Sequence, residues 1–170
     1  MTKKNYKEVL TTPFETDIRN FFNIAKYFMY YGPNINSRQS INRIKGRQAT
    51  KVFKQMILSA NMKEHYEVLR NNSDAIWEMY DLSGEILDFE TSRMVFYKNS
   101  NETYLNALLR HIRNSLAHGN LYVWKKKRGD FIFMIDYDDK KKKITAKIMI
   151  SSIILDQWKT ILESEVLQEN

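Results

Sequence analysis

At Gly119 the spacing of the apolar residues switches from a helical period to a strand period. Before it, Leu105, Leu108, Leu109, Ile112 and Leu116 recur three and four apart, one face of a helix. After it come three short runs rich in aromatic and β-branched residues: Leu121 to Lys127, Phe131 to Tyr137 and Ile144 to Ile150. Arg128-Gly129-Asp130 and Asp138 to Lys142 separate them, and two such tight connections imply an antiparallel meander. Gly119 follows His118 at the place where a helix commonly ends on glycine. A final helical stripe, Ile154, Leu155, Trp158, Ile161, Leu162 and Val166, spans about Ser152 to Leu167.

Upstream of the switch the chain reads as helix. Thr12-Pro13-Phe14-Glu15 has the form of a helix start, with a capping threonine, proline at the first helical position and a glutamate able to reach back. Phe14, Ile18, Phe21, Phe22, Ala25, Phe28 and Met29 follow as its inward face, and Gly32-Pro33 stops it. Residues 34–46 read as a loop. Ala49, Val52, Phe53, Met56, Ile57 and Ala60 form a second stripe, which Tyr66 and Leu69 continue less clearly. Asn71-Asn72-Ser73-Asp74 is a break and a cap. A third helix runs from about Asp74 through Ile76, Trp77 and Tyr80 to Ser83-Gly84, with Ile86, Leu87 and Phe89 extending it. Thr91 to Lys98 fits helix or irregular structure equally, and Asn99 to Glu102 starts the next helix. Only 5 glycines and 2 prolines punctuate 170 residues, which suits long helices. The expected fold is mainly α: one domain over residues 1–170, a helical bundle with a small antiparallel three-stranded β meander (about 121–150) before the C-terminal helix.

Composition limits the chemistry. Lys and Arg number 27 against 20 Asp and Glu, a net charge of +7, which favours an anionic partner such as nucleic acid. The absence of cysteine excludes disulfides, iron–sulfur sites, cysteine-based zinc sites and thiol nucleophiles. His65, His111 and His118 are the only histidines. Met1 to Lys7 lacks the apolar stretch of a signal peptide, and runs such as Phe131 to Ile135 are too short to cross a bilayer. A cytoplasmic protein without membrane contact is therefore expected. There is no glycine-rich phosphate loop. Asp136, Asp138 and Asp139, with Asp156 nearby, have no histidine beside them and read as turn residues and surface charge rather than a metal site. No metal or cofactor is expected. The runs Lys125-Lys126-Lys127-Arg128 and Lys140 to Lys143 fit solvated turn tips that protect sheet edges, or a salt-dependent, sequence-independent attraction for RNA.

One segment gathers the residues that move protons and hold phosphate: Arg110-His111-Ile112-Arg113-Asn114-Ser115-Leu116-Ala117-His118-Gly119-Asn120. RNA carries its own nucleophile, the 2′-hydroxyl. Its cleavage without metal needs a group that transfers protons near neutral pH, which histidine is, and a fixed cation for the developing phosphorane charge, which arginine is. Asn114 and His118 lie four apart on one helix face, with Arg110 on the same face. Arg113 and His118 are five apart, about 140° around an ideal helix, so they converge only if the helix loosens near Gly119 or the arginine wraps round. Each residue also has a plainer role. His118 can serve the negative end of the helix dipole, Arg113 can be a surface ion-pair partner, and His111 can be structural.

Arg113-Asn114-Ser115-Leu116-Ala117-His118 resembles the Arg-polar-x-x-x-His signature of the HEPN superfamily, over roughly Tyr104 to Tyr122. With 9 Arg, 15 Asn and 3 His in the chain, chance placement gives the pattern roughly 0.014 times, so coincidence is a poor account of it. The resemblance implies a HEPN-like helical bundle and a metal-independent endoribonuclease. Arg113, His118 and Asn114 would be catalytic, with Arg110, His111 and Asn120 against the substrate. It implies RNA as partner, a homodimer with a composite site, and products ending in 2′,3′-cyclic phosphate and 5′-hydroxyl. It further implies a toxin, abortive-infection or stress-response role, restrained by an antitoxin or other regulatory protein. Some HEPN toxins carry a modifiable tyrosine two past the histidine; Tyr122 is four past, and fits a strand residue better. The alternatives are a non-catalytic HEPN module that binds RNA or a protein partner, and a helical subunit whose motif is coincidental.

Overall fold

Each long stripe with three-and-four spacing folds as a helix, but the short runs between them do not all follow. The computed structural model describes residues 18–32, 44–69, 75–83, 90–124, 130–140 and 142–167. In chain order its elements are α1 (Ile18–Lys26), a π turn (Tyr27–Tyr31), α2 (Gly46–Ser59), β1 (Tyr66–Leu69), α3 (Ala75–Met79), β2 (Arg93–Tyr97), α4 (Tyr104–Ala117), β3 (Leu121–Trp124), β4 (Phe131–Asp138), β5 (Lys143–Ser151) and α5 (Ser152–Leu167). The helix start at Thr12 to Glu15, the extension through Ile86, Leu87 and Phe89, and the lysine run at 125–128 lie outside the described residues.

The fold is not a mainly α bundle carrying a three-stranded meander. The expected meander exists, as β3, β4 and β5 paired antiparallel, but it is three strands of a five-stranded mixed sheet in the order β1-β2-β5-β4-β3. β2 joins β5 antiparallel, with Met94 opposite Ile148, and β1 joins β2 parallel, with Tyr66 opposite Met94. Tyr66 and Leu69, which sit three apart and mimic a helix, are the ends of β1. Arg93 to Phe96 are buried in succession because β2 is flanked by strands on both edges and covered on both faces. Such a strand shows no alternation, so a short apolar run of this kind cannot be told from helix by period.

The sheet divides two layers. On one face, Met94, Phe96, Ile132, Met134, Ala146, Ile148 and Ile150 join α1, α2, α4 and α5 in the main core. On the other, Val95, Phe133 and Met149 meet Trp77 of α3, the helix inside the β1–β2 crossover. Ala49, Val52, Phe53, Met56 and Ile57 of α2 are buried as their spacing dictates. Trp158 of α5 is fully buried and its Nε1–H donates to the Met56 carbonyl at 2.8 Å, fixing α5 on α2. Each fully buried Leu, Ile or Phe stabilises the fold by about 1.5–3 kcal/mol. The first helix keeps only part of its expected face: Phe28 is buried as expected, but Ile24 and Tyr27 are buried beside it and Phe22 is 61% exposed. The π turn, closed by Gly32 N–H to the Tyr27 carbonyl at 2.9 Å, ends the helix. Among the described residues no helix is long and apolar enough to cross a membrane.

Candidate functional site

α4 carries the polar cluster, and both its ends are fixed. At its start the Thr103 hydroxyl caps the helix by accepting the Asn106 N–H at 3.1 Å. At its end His118 is the last right-handed residue, and Gly119 takes φ +67°. Gly119 N–H donates to the Leu116 carbonyl at 3.2 Å and Asn120 N–H to the Ser115 carbonyl at 2.9 Å, the two bonds of a Schellman turn. The turn leaves His118 exposed. It also directs the Asn120 carbonyl to accept from Ile135 N–H at 2.9 Å, tying the helix end to β4, while Asn120 itself stays exposed.

Between these ends the inward face of α4 is not wholly apolar. Leu105, Leu108, Leu109 and Ile112 enter the core as expected, but His111 and Ser115 are fully buried beside them. His111 Nδ1 lies 2.6 Å from Asp136 Oδ2, and Nε2 lies 2.7 Å from the Tyr97 carbonyl at the end of β2. Both ring nitrogens thus have oxygen partners inside the protein, and His111 offers no surface to a substrate on this chain. Arg110 is similarly engaged. Its Nε and Nη2 donate to the two Glu102 carboxylate oxygens at 2.8 and 2.9 Å, a forked pair, and Nη2 also reaches the Tyr97 carbonyl at 3.3 Å. Burial alone would raise the Glu102 carboxyl, but hydrogen bonds and charge from Arg110, with Asn99 and His111, hold it below the usual carboxylate range.

Asp136 is the hub that the sequence hides. It was expected to be a turn residue without a histidine partner; instead it is 4% exposed and in contact with His111. The reason lies in the strand period. Asp136 follows Ile132 and Met134 at intervals of two, so it lies on the row facing α4, and β4 runs on to Asp138. Its Oδ2 also accepts from Asn114 Nδ2 at 3.3 Å and from Thr145 Oγ1 at 3.2 Å, with Arg110 Nη1 4.0 Å away. Asn114 Oδ1 in turn accepts from Arg113 Nη1 at 3.1 Å. Arg113 and Asn114 are therefore brought together, and Asn114 links Arg113 to the buried carboxylate. His118, one turn further on, makes no side-chain hydrogen bond among the described residues.

Three other residues take plainer roles. Tyr122 lies in β3, its ring centroid 6.2 Å from that of Phe133. Lys140 is exposed in the β4–β5 turn, while Lys143 stands over the Tyr97 ring at 4.6 Å. What α4 presents for chemistry is an exposed imidazole at its C-terminal turn and, on the same final stretch, a half-buried guanidinium held by an amide.

A family model described as HEPN pEK499 p136 matches residues 37–164, well over half of the chain and all of α4. No curated protein and no solved structure matches the chain. The match extends the short likeness of Arg113 to His118 across both layers of the fold, and the chain belongs to the HEPN pEK499 p136 family of the HEPN superfamily.

Proposed function

We propose that the protein is a metal-independent endoribonuclease, acting as a homodimer in which two copies of the Arg113-to-His118 segment face one phosphodiester. The observation that carries this reading is the end of α4. The Schellman turn holds an exposed imidazole where solvent and substrate can reach it, and Arg113, a few residues back, is steadied by Asn114. Family membership supports it.

The chemistry needs only these groups. One His118 imidazole takes the proton from the ribose 2′-hydroxyl as that oxygen attacks phosphorus. The bond from phosphorus to the 5′-oxygen breaks, and the imidazole of the second copy gives the departing oxygen its proton. The products are a 2′,3′-cyclic phosphate and a 5′-hydroxyl, with no net change in protons. Arg113 balances the extra negative charge on the phosphoryl oxygens, a contribution of about 10²–10³ in rate for a group of this type. His118 supplies about 10²–10⁴ as acid and base. Arg110 and His111, engaged inside the fold, play no direct part. A toxin or abortive-infection role, cytoplasmic and restrained by a second protein, fits an enzyme that cuts cellular RNA.

The test is incubation of purified protein with total RNA in EDTA. Cleavage that survives chelation and is lost in both Arg113→Ala and His118→Ala is the expected result. RNA retention without cleavage selects the binding-module alternative. A strictly monomeric protein that still cuts at full rate refutes the two-copy site.

A further inference from the structure

We propose that Asp136 is a positioning residue for the RNA-cutting site: acting through Asn114, it fixes the direction in which Arg113 presents its guanidinium. The catalytic consequence rests on the ribonuclease reading above, whereas the coupling itself rests on the hydrogen-bond pattern.

An asparagine side chain has one accepting end and one donating end. The carboxylate oxygen of Asp136 only accepts, and it lies 3.3 Å from Asn114 Nδ2. That contact dictates which way the amide is turned, and leaves Oδ1 to receive Arg113 Nη1 at 3.1 Å. The reversed amide would set oxygen against carboxylate and NH₂ against guanidinium, two mismatches at once. The orientation is thus set from the β4 side and passed outward to Arg113.

Asp136 can set it because it is itself immobilised. His111 Nδ1 and Thr145 Oγ1 converge on the same Oδ2, at 2.6 and 3.2 Å, and His111 is pinned at its far side by the Tyr97 carbonyl. Thr145 reaches it through an irregularity in the sheet. Asp136 pairs with Ala146 and Tyr137 with Ile144, so Thr145 has no partner across the ladder and its hydroxyl is turned to Asp136, bonding both the carboxylate and the main-chain oxygen. With Asp136 4% exposed, water does not compete for these bonds.

The experiment compares the wild type with Asp136→Asn, Asn114→Asp and the double swap Asn114→Asp/Asp136→Asn, each shown to be folded by circular dichroism. Two quantities are read: steady-state RNA cleavage in EDTA, and the NMR resonance of the Arg113 Nε–H, identified by its loss in Arg113→Lys. Asp136→Asn removes the group that orients the amide. It is expected to lower kcat about 10–100-fold, the scale of a misplaced catalytic group, with KM little changed because the loss falls in the transition state. The Arg113 resonance shifts with it. The swap puts the carboxylate beside Arg113 and the amide on β4, and is expected to recover most of kcat and the resonance, which loss of packing alone would not allow. Wild-type kcat and an unmoved resonance in Asp136→Asn, or a swap no better than the single variants, overturns the proposal. A wild type that leaves RNA intact rejects the ribonuclease reading instead, and the resonance then decides the positioning by itself. Should Asp136→Asn fail to fold, Thr145→Val, which takes one donor from the same oxygen, replaces it, and an unmoved resonance there is equally fatal.

Discussion

Replacing Gly119 with alanine isolates the conformational energy of the turn that presents His118. Gly119 sits at φ +67°, and a Cβ built on it meets nothing within 4 Å. Steric collision is therefore absent and the whole penalty is backbone. A left-handed conformation costs an L-residue roughly 1–2 kcal/mol. Alanine also narrows the unfolded ensemble, which offsets about 0.4–1 kcal/mol. The net loss for Gly119→Ala is about 1 kcal/mol. Gly119→Asn should lose less than alanine, because asparagine tolerates the left-handed region. Urea unfolding measures this as a lower midpoint at unchanged slope, and a thermal melt as a fall of about 2–4 °C for a chain of this size. If the alanine chain escapes strain by unwinding the turn, His118 moves, and on the proposed ribonuclease reading RNA cleavage falls at temperatures where the variant is fully folded. Alanine as stable as glycine, asparagine worse than alanine, or a loss above about 3 kcal/mol would each refute the assignment, the last by revealing a collision.

Other consequences follow from the same structure. Leu108→Ala empties a fully buried site on α4 and should cost about 2–5 kcal/mol in urea unfolding. The Tyr27 hydroxyl is buried without a hydrogen-bond partner among the described residues, and burial, with Glu163, pushes its pKa up. Tyr27→Phe should therefore raise stability by about 1 kcal/mol, and an unchanged or lower melting temperature counts against this. Glu102 is held below its unfolded value, so its ionised form favours the fold. That contribution is complete above the unfolded pKa and is lost as pH falls through the folded one, and Glu102→Gln should flatten this part of the stability profile. His111→Leu alone leaves Asp136 buried with its main donor gone and should cost about 3–5 kcal/mol, whereas His111→Leu with Asp136→Leu should recover much of that in the same assay.

Legibility in the sequence followed the length of each periodic run. The spacing in α2, α4 and α5 survives over 14 to 16 residues, and the structure places these helices where it indicates. The meander was equally legible, because its turns are polar and its runs are flanked clearly. β1 and β2 have four and five residues, too few to establish a period, and β2 lacks alternation because both of its faces are covered. The face of α1 was misread in part because large apolar residues lie on more than one side of it: Phe22 is exposed, and Ile24 and Tyr27, off the expected stripe, are buried. At the candidate site, Arg113 and His118 stood out because the motif they share is contiguous in the chain. Asp136 could not be matched to His111, 25 residues earlier, because pairing across layers leaves no local trace. Its one signal was its phase with Ile132 and Met134, masked by Asp138 and Asp139 close behind it. Thr145 left none, since a bulge breaks the very period by which a face is assigned.

The division of the polar cluster across α4 bears on why the buried part exists. Arg110, His111 and Asn114 turn toward β2 and β4, while His118 faces solvent. Burying a carboxylate and an imidazole costs desolvation that their attraction offsets only in part, and apolar side chains of similar volume often hold such an interface nearly as well. Stability therefore does not account for Asp136. An apolar core could hold α4 against the sheet, but it would place no requirement on the rotation of the Asn114 amide. A carboxylate does, because it accepts and never donates. The network exchanges some packing energy for a directional constraint, and that constraint emerges from the interior at Arg113, beside the turn that exposes His118.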